Sequence, residues 1–146
     1  MSEISFTVPG APQGKGRPRV GRIAGQARMF TPAKTAAYEG LIAHAAAQAM
    51  AGRAPLDEPV VLTIHAAVPV PASWSKRKQA QALAGEIRPT GKPDLDNVLK
   101  AVCDGCNGVL WRDDAVVVAV TARKAYAQTP GVLVQAHTVA ELEAMQ

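Results

Sequence analysis

The chain has only two cysteines, few aromatics at 4% of its 146 residues, and no apolar stretch of membrane-spanning length. A bilayer helix needs about 18 or more consecutive apolar residues, and here the apolar runs break every few positions. The opening MSEISFTVPG carries an acid where a signal peptide carries bases, so neither membrane insertion nor export is expected. A cytoplasmic protein is predicted. Cys103 and Cys106, spaced C-x-x-C, supply at most half of a zinc site, because His44, His65 and His137 are scattered singly and bring no second ligand pair. A redox pair sits at a helix N-terminus, where the dipole lowers the thiol pKa, whereas these cysteines fall at the end of a predicted helix. They are expected to be reduced, mostly buried small hydrophobes.

Acids are missing from a long segment as well. Between Glu3 and Glu39 stand the bases Lys15, Arg17, Arg19, Arg22, Arg28 and Lys34 with no acid among them. A second basic stretch holds Lys76, Arg77 and Lys78, followed by Arg88 and Lys92, and the net charge is +4. Clustering of this kind favours a polyanionic partner, because each phosphate contact releases condensed counterion; the plainer alternative is a solvated face. Lys15, Arg17, Arg19, Arg22, Arg28, Lys76, Arg77, Lys78 and Lys92 are the candidate contacts for such a partner.

At this length the chain fits one domain, residues 1–146, able to bury a sizeable core. ISFTVPG predicts a first strand ending at Pro9. From Gly10 to Phe30 the Gly, Pro and Arg content defeats any helix pattern, so a flexible basic arm or loop is expected over about 10–30. Thr31 offers a helix N-cap with Pro32 at the first helical position, and Tyr38, Leu41, Ile42, Ala45 and Ala49 keep helical spacing up to Gly52. Residues 60 to 68 alternate as a strand closed by Pro69 and Pro71. Ser73 or Ser75 caps a short helix ending at Gly85. A third helix covers 95–106, after which two valine-rich runs, AVVVAVTARKAY and GVLVQAHTV, flank a QTPG turn and suggest an antiparallel hairpin. Neither an internal repeat nor a second domain is visible. The expected class is α+β, a mixed or antiparallel sheet of about four strands with three helices in the order β-α-β-α-α-β-β.

The chemistry concentrates in GKPDLDNVLKAVCDG. Leu95, Val98, Leu99, Val102, Cys103 and Cys106 share one helical face, with Asp96, Lys100 and Asp104 at i, i+4 and i+8 on the opposite side. Asp94 precedes the helix on extended backbone, so it and Asp96 can converge on one point. Two converging carboxylates repel unless a cation joins them, and magnesium, which takes hard oxygen ligands together with substrate phosphate, suits such a pair. VLWRDDAVV adds Asp113 and Asp114, between which spacing does not choose. An EF-hand fails, since Val98, Leu99 and Gly105 stand where ligands and the turn glycine belong. GAPQGKG fails as a phosphate loop, having one residue too few between its glycines and Gly16 in place of Ser or Thr. The bland reading makes one aspartate a helix cap and pairs Asp96 with Lys100. Trp111, Tyr38 and Phe30 are expected to be structural, Trp111 as core.

Taken together, KPDLDNVLKAVCDG, GVLWRDDAVV and the KGRPR arm before a T-P-x-K-T helix resemble the RusA family of Holliday-junction resolvases, small phage- and prophage-associated endodeoxyribonucleases. The resemblance implies a homodimer acting in the bacterial cell on four-way, branched DNA in recombination and repair. It implies paired symmetric nicks with Mg2+ as cofactor, Mn2+ being an alternative. Asp94, Asp96, Asp114 and Lys100 match the family's catalytic positions, and the three aspartates are the implied metal ligands. Lys100 would neutralise transition-state charge or orient the attacking water. Competing readings are a branched-DNA-binding protein on the same scaffold that cleaves little or not at all, and a metal nuclease for other branched nucleic acids.

Overall fold

A computed structural model of the chain describes residues 3–16, 19–30 and 32–145. The order of elements is β1 (Ile4–Pro9), β2 (Arg19–Ile23), β3 (Gln26–Phe30), α1 (Ala33–Met50), β4 (Val60–Pro69), α2 (Lys76–Leu83), α3 (Leu95–Cys106), a 3-10 turn (Asp114–Val116), β5 (Val117–Ala127), β6 (Gly131–Thr138) and α4 (Val139–Ala144). The fold is α+β, with one mixed four-stranded sheet in the order β1-β6-β4-β5 and a separate two-stranded sheet of β2 and β3.

Alternation decides which sheet face is buried. Ile4, Phe6 and Val8 of β1, Val60, Leu62, Ile64 and Ala66 of β4, and Val132, Val134 and Ala136 of β6 form one inward face. Against it pack Tyr38, Ile42, Ala46 and Met50 of α1 and Val98, Ala101, Val102 and Cys106 of α3. The result is a two-layer domain with its long helices on a single side of the sheet. The α1 stripe runs one residue round from the expected one, leaving Leu41 37% exposed. No helix among the described residues is long and apolar enough to cross a membrane.

Three expectations change. The two valine-rich runs are not a hairpin: β5 lies parallel to β4, and β6 is antiparallel to both β4 and β1, so β4 separates them. Residues 128–130 cross the end of β4 to make this connection, a span of two strand spacings or ~10 Å that three extended residues just cover. A parallel β4–β5 pair needs a long crossover, and α2, α3 and their loops provide it. Second, the arm contains the β2–β3 hairpin, paired from Arg19↔Phe30 to Ile23↔Gln26. Its two-residue connection places Ala24 at φ 54° and Gly25 at φ 80°, the doubly left-handed turn that matches strand twist. Third, Pro32 rather than Thr31 occupies the N-cap position of α1, on extended backbone and with no side-chain cap; Thr31 lies outside the described residues.

The other boundaries follow local chemistry. Ala51 and Gly52 turn left-handed to end α1, and the Ser75 hydroxyl accepts from Lys78 N–H to start α2. Helix α4 extends the expected list. Thr138 and Glu141 form a reciprocal capping box there, with Thr138 Oγ1 accepting from Glu141 N–H and a Glu141 carboxylate oxygen accepting from Thr138 N–H, both at 3.1 Å.

Candidate active site

Helix α3 is amphipathic and fastened by its apolar side. Val98, Val102 and Cys106 enter the core, and Gly105 lets α3 approach α1 so closely that a Cβ there would stand 2.8 Å from Ile42 Cβ. Asp94 is the N-cap residue, on extended backbone at φ −66°, ψ 137°. Its carbonyl accepts from the N–H groups of Asn97 and Val98, both at 3.1 Å, but its carboxylate makes no capping hydrogen bond. The bland reading of Asp94 therefore fails, for the helix leaves that carboxylate uncommitted. Asp96 and Lys100 are exposed one turn apart, and no ion pair joins them among the described residues. Leu95 is the first helical residue, as the predicted range 95–106 has it.

Beside Asp94 opens a cleft of about 700 Å³ between the 12–16 segment and the N-terminal ends of α1 and α3. Lys15, Lys34 and Lys92 line it together with Asp94, Asn97 and Thr35; Asp96 does not. Two glycines make the segment fit: a Cβ on Gly14 would meet Asn97 Cβ at 2.9 Å, and one on Gly16 would meet Thr35 Oγ1 at 2.6 Å. Gly16 N–H donates to that same hydroxyl at 3.0 Å, and Lys15 N–H donates to the Asn97 carbonyl at 3.1 Å.

Lys15 is also tied to the fold by its side chain. Its ammonium forms an ion pair with Asp104 of α3 and lies 3.4 Å from Glu39 of α1. The hydrogen bond to Asp104 raises its pKa above the ordinary lysine value, with burial opposing and the charges of Asp104 and Glu39 assisting. Arg17 lies outside the described residues; Arg19, Arg22 and Arg28 are on the hairpin strands. Lys76, Arg77 and Lys78 are exposed on α2, where Lys78 Nζ sits 4.0 Å over the Trp74 ring and Trp74 meets Tyr126 of β5 edge-on.

The Asp113–Asp114 pair divides its labour. Asp113 Oδ2 accepts from Ala115 N–H at 3.0 Å and caps the 3-10 turn. Arg112 beside it pairs with Asp57 at 3.2 Å. Asp114 is half-buried, and its negative charge reaches Cys103 of α3. Burial first, then Asp114 and Asp104, pushes the Cys103 thiol up to about 11; burial and then Cys103 push Cys106 up as well. Both cysteines are free and held as thiols, as the sequence predicts. Trp111 sets this register: it is fully buried, its Nε1–H donates to Asn107 Oδ1 at 2.8 Å, and Leu56 brackets it by exchanging backbone bonds with Leu110 and Arg112.

Cys103 lies seven residues beyond Asp96, about 10 Å along the helix at 1.5 Å per residue and in its last third, whereas Asp94 and Asp96 occupy the start of α3. Among the described residues, no three His, Cys, Asp or Glu side chains are gathered closely enough to hold a metal by themselves. The oxygen donors of Asp94 and Asp96 do fit a hard cation that keeps waters and takes further ligands from phosphate.

A family model described as Endodeoxyribonuclease RusA matches residues 9–136. The chain belongs to the RusA endodeoxyribonuclease family. The RusA match takes in β1 at its last residue, the arm, both long helices, the DLDN segment and the Asp113–Asp114 pair, so every side chain of the candidate site falls within it. The chain is also similar to the uncharacterized protein YqaN of Bacillus subtilis (strain 168), at 36% identity over 141 residues, which is 95% of this chain and 99% of the relative. Within this RusA frame, sequence reasoning passed over Lys34, Asn97 and Lys124. Lys34 had a signal: a base in the first turn of a helix opposes the macrodipole, and α1 has no acid there. Lys124, a lysine in a strand, had none.

Proposed function

We propose that this protein is a Mg2+-dependent, structure-specific endodeoxyribonuclease that resolves four-way DNA junctions by paired symmetric nicks, working as a homodimer in recombination and repair. The observation that carries the reading is the Asp94 carboxylate, left free by its helix and set in a lysine-lined cleft in a RusA chain. Asp94 and Asp96 would hold the metal at the start of α3, with Asp114 approaching from the flank of that helix. A divalent cation there supplies an acidified water and charge relief at phosphate oxygens. Lys34 and Lys92 attract the strand's phosphates into the cleft, and the exposed bases of α2 add to the positive surface. Lys100, one turn beyond Asp96, compensates charge that develops on the phosphate or orients the attacking water. Two copies related by a two-fold axis match the approximate symmetry of a junction, which a single copy cannot cut on both strands in concert.

The dispersal of the carboxylates favours one competing reading, a branched-DNA-binding protein on this scaffold that cleaves little or not at all. One experiment separates the two. A synthetic four-way junction is incubated with wild type and Asp96→Asn, with and without Mg2+, and binding is followed in parallel. The proposed function requires Mg2+-dependent paired nicks by wild type only, with binding retained by the variant or tightened through loss of a negative charge. Binding without any nicks from wild type would establish the competitor.

A further inference from the structure

The segment that delivers Asp94 has little structure of its own. Residues 87–93 belong to no helix or strand, and Asp94 follows immediately. Lys124 of β5 reaches across to this segment, and its ammonium donates to the Gly91 carbonyl at 2.7 Å and to the Pro93 carbonyl at 3.0 Å. These two oxygens bracket Lys92 and end one residue before Asp94. Among the described residues they are the only hydrogen bonds joining 87–93 to the rest of the chain. An ammonium has three donors on a flexible stem, so engaging two of them with carbonyls fixes the loop against a rigid strand and leaves one donor for a phosphate.

The assignment differs from what charge alone suggests. Lys124 and Lys92 are both lysines close to the cleft, but Lys92 lines it and makes no ion pair among the described residues, whereas Lys124 is spent on the backbone. We propose that Lys124 is a positioning residue: through the Gly91 and Pro93 carbonyls it holds Asp94 where a divalent cation and the reacting phosphate need it, and it contributes nothing to DNA affinity. The proposal rests on the reading of Asp94 given above.

The test compares Lys124→Met, Lys124→Arg and Lys92→Met with wild type by three measurements. These are single-turnover junction cleavage in Mg2+, junction affinity as a function of salt in Ca2+, and Mn2+ binding to the DNA-free protein by electron paramagnetic resonance. Lys124→Met is expected to cleave at least 10-fold more slowly and to bind Mn2+ several-fold more weakly, with junction affinity within twofold of wild type and an unchanged salt slope. Lys124→Arg, which can reach both carbonyls, should recover most of the rate. Lys92→Met should show the opposite pattern, losing affinity and about 0.9 of log-log salt slope. If Lys124→Met does not fold, Lys124→Gln, which keeps one donor group, takes its place in every comparison. A flattened salt slope in Lys124→Met, or full cleavage rate with full Mn2+ affinity, overturns the proposal alone. A wild type that neither cleaves nor binds Mn2+ overturns the functional reading and this proposal with it.

Discussion

Replacing Gly105 with alanine should loosen the contact on which the candidate site is mounted. The new Cβ would lie 2.8 Å from both Cβ and Cγ2 of Ile42 and 3.0 Å from the Glu39 carbonyl oxygen. Carbon atoms rest at ~3.5–4.0 Å, so α3 has to retreat from α1 by roughly 0.7 Å or more. Neither obstacle can swing aside, because one belongs to a fully buried branched side chain and the other to the helix backbone. Overpacking of this kind costs about 1–3 kcal/mol, and the better helix propensity of alanine returns a little under 1 kcal/mol. The expected net effect is a loss of up to ~2 kcal/mol, a fall in Tm of as much as roughly 7 °C for a domain of this size. Gly40 is the control: it lies exposed in α1 with nothing within 4 Å of an added Cβ. Gly40→Ala should therefore stabilise by about 0.5–1 kcal/mol and raise Tm by ~2–4 °C. Thermal unfolding by circular dichroism reads both variants. A Gly105→Ala melt equal to or above wild type would refute the reasoning, because it would mean that the two helices are free to separate.

Asp114→Asn should remove junction cleavage as completely as Asp96→Asn, whereas Asp113→Asn keeps at least part of it, since asparagine also serves as a cap for the 3-10 turn; the reverse pattern in a gel assay would make Asp113 the functional acid. Cys103, held up to about 11, should react with iodoacetamide at pH 8 on the order of 100-fold more slowly than an ordinary thiol of pKa 9, at a rate that climbs with pH as the thiolate forms. Asp114→Asn removes a negative neighbour, so Cys103 in that variant should titrate lower and alkylate faster; an unchanged rate would place the Asp114 carboxylate away from α3.

Much of this molecule was legible because its signals are local. The α3 face is read from residues three and four apart, Ser75 announces α2, and Pro69 and Gly52 end their elements by backbone chemistry alone. Asp94, Asp96, Lys100 and the Asp113–Asp114 pair stand out for the same reason, as does the core position of Trp111. What escaped was set by partners distant in sequence. Nothing in the valine runs of β5 and β6 records that β4, some 60 residues earlier, would take the place between them. The hairpin in the arm was hidden because Ala24–Gly25 is a weaker turn signal than Asn–Gly, and because glycine and arginine interrupt the strand pattern of RVGRIAGQARMF. The charge of Lys15 is plain in the sequence, but its ion pairs are not, since only the folded chain brings Asp104 and Glu39 to it from two different helices.

The place of β6 also governs the order in which the sheet can be completed. It is the strand that joins β1 to β4, so the first strand of the chain has no partner in the large sheet until residues 131–138 are available. β1 and β6 are separated by most of the sequence, and β4 and β5 by the whole crossover, which makes the sheet a structure of high contact order. During synthesis β1 therefore has to wait for residues 131–138, and a chain that stops at residue 130 lacks one of the two central strands of its sheet.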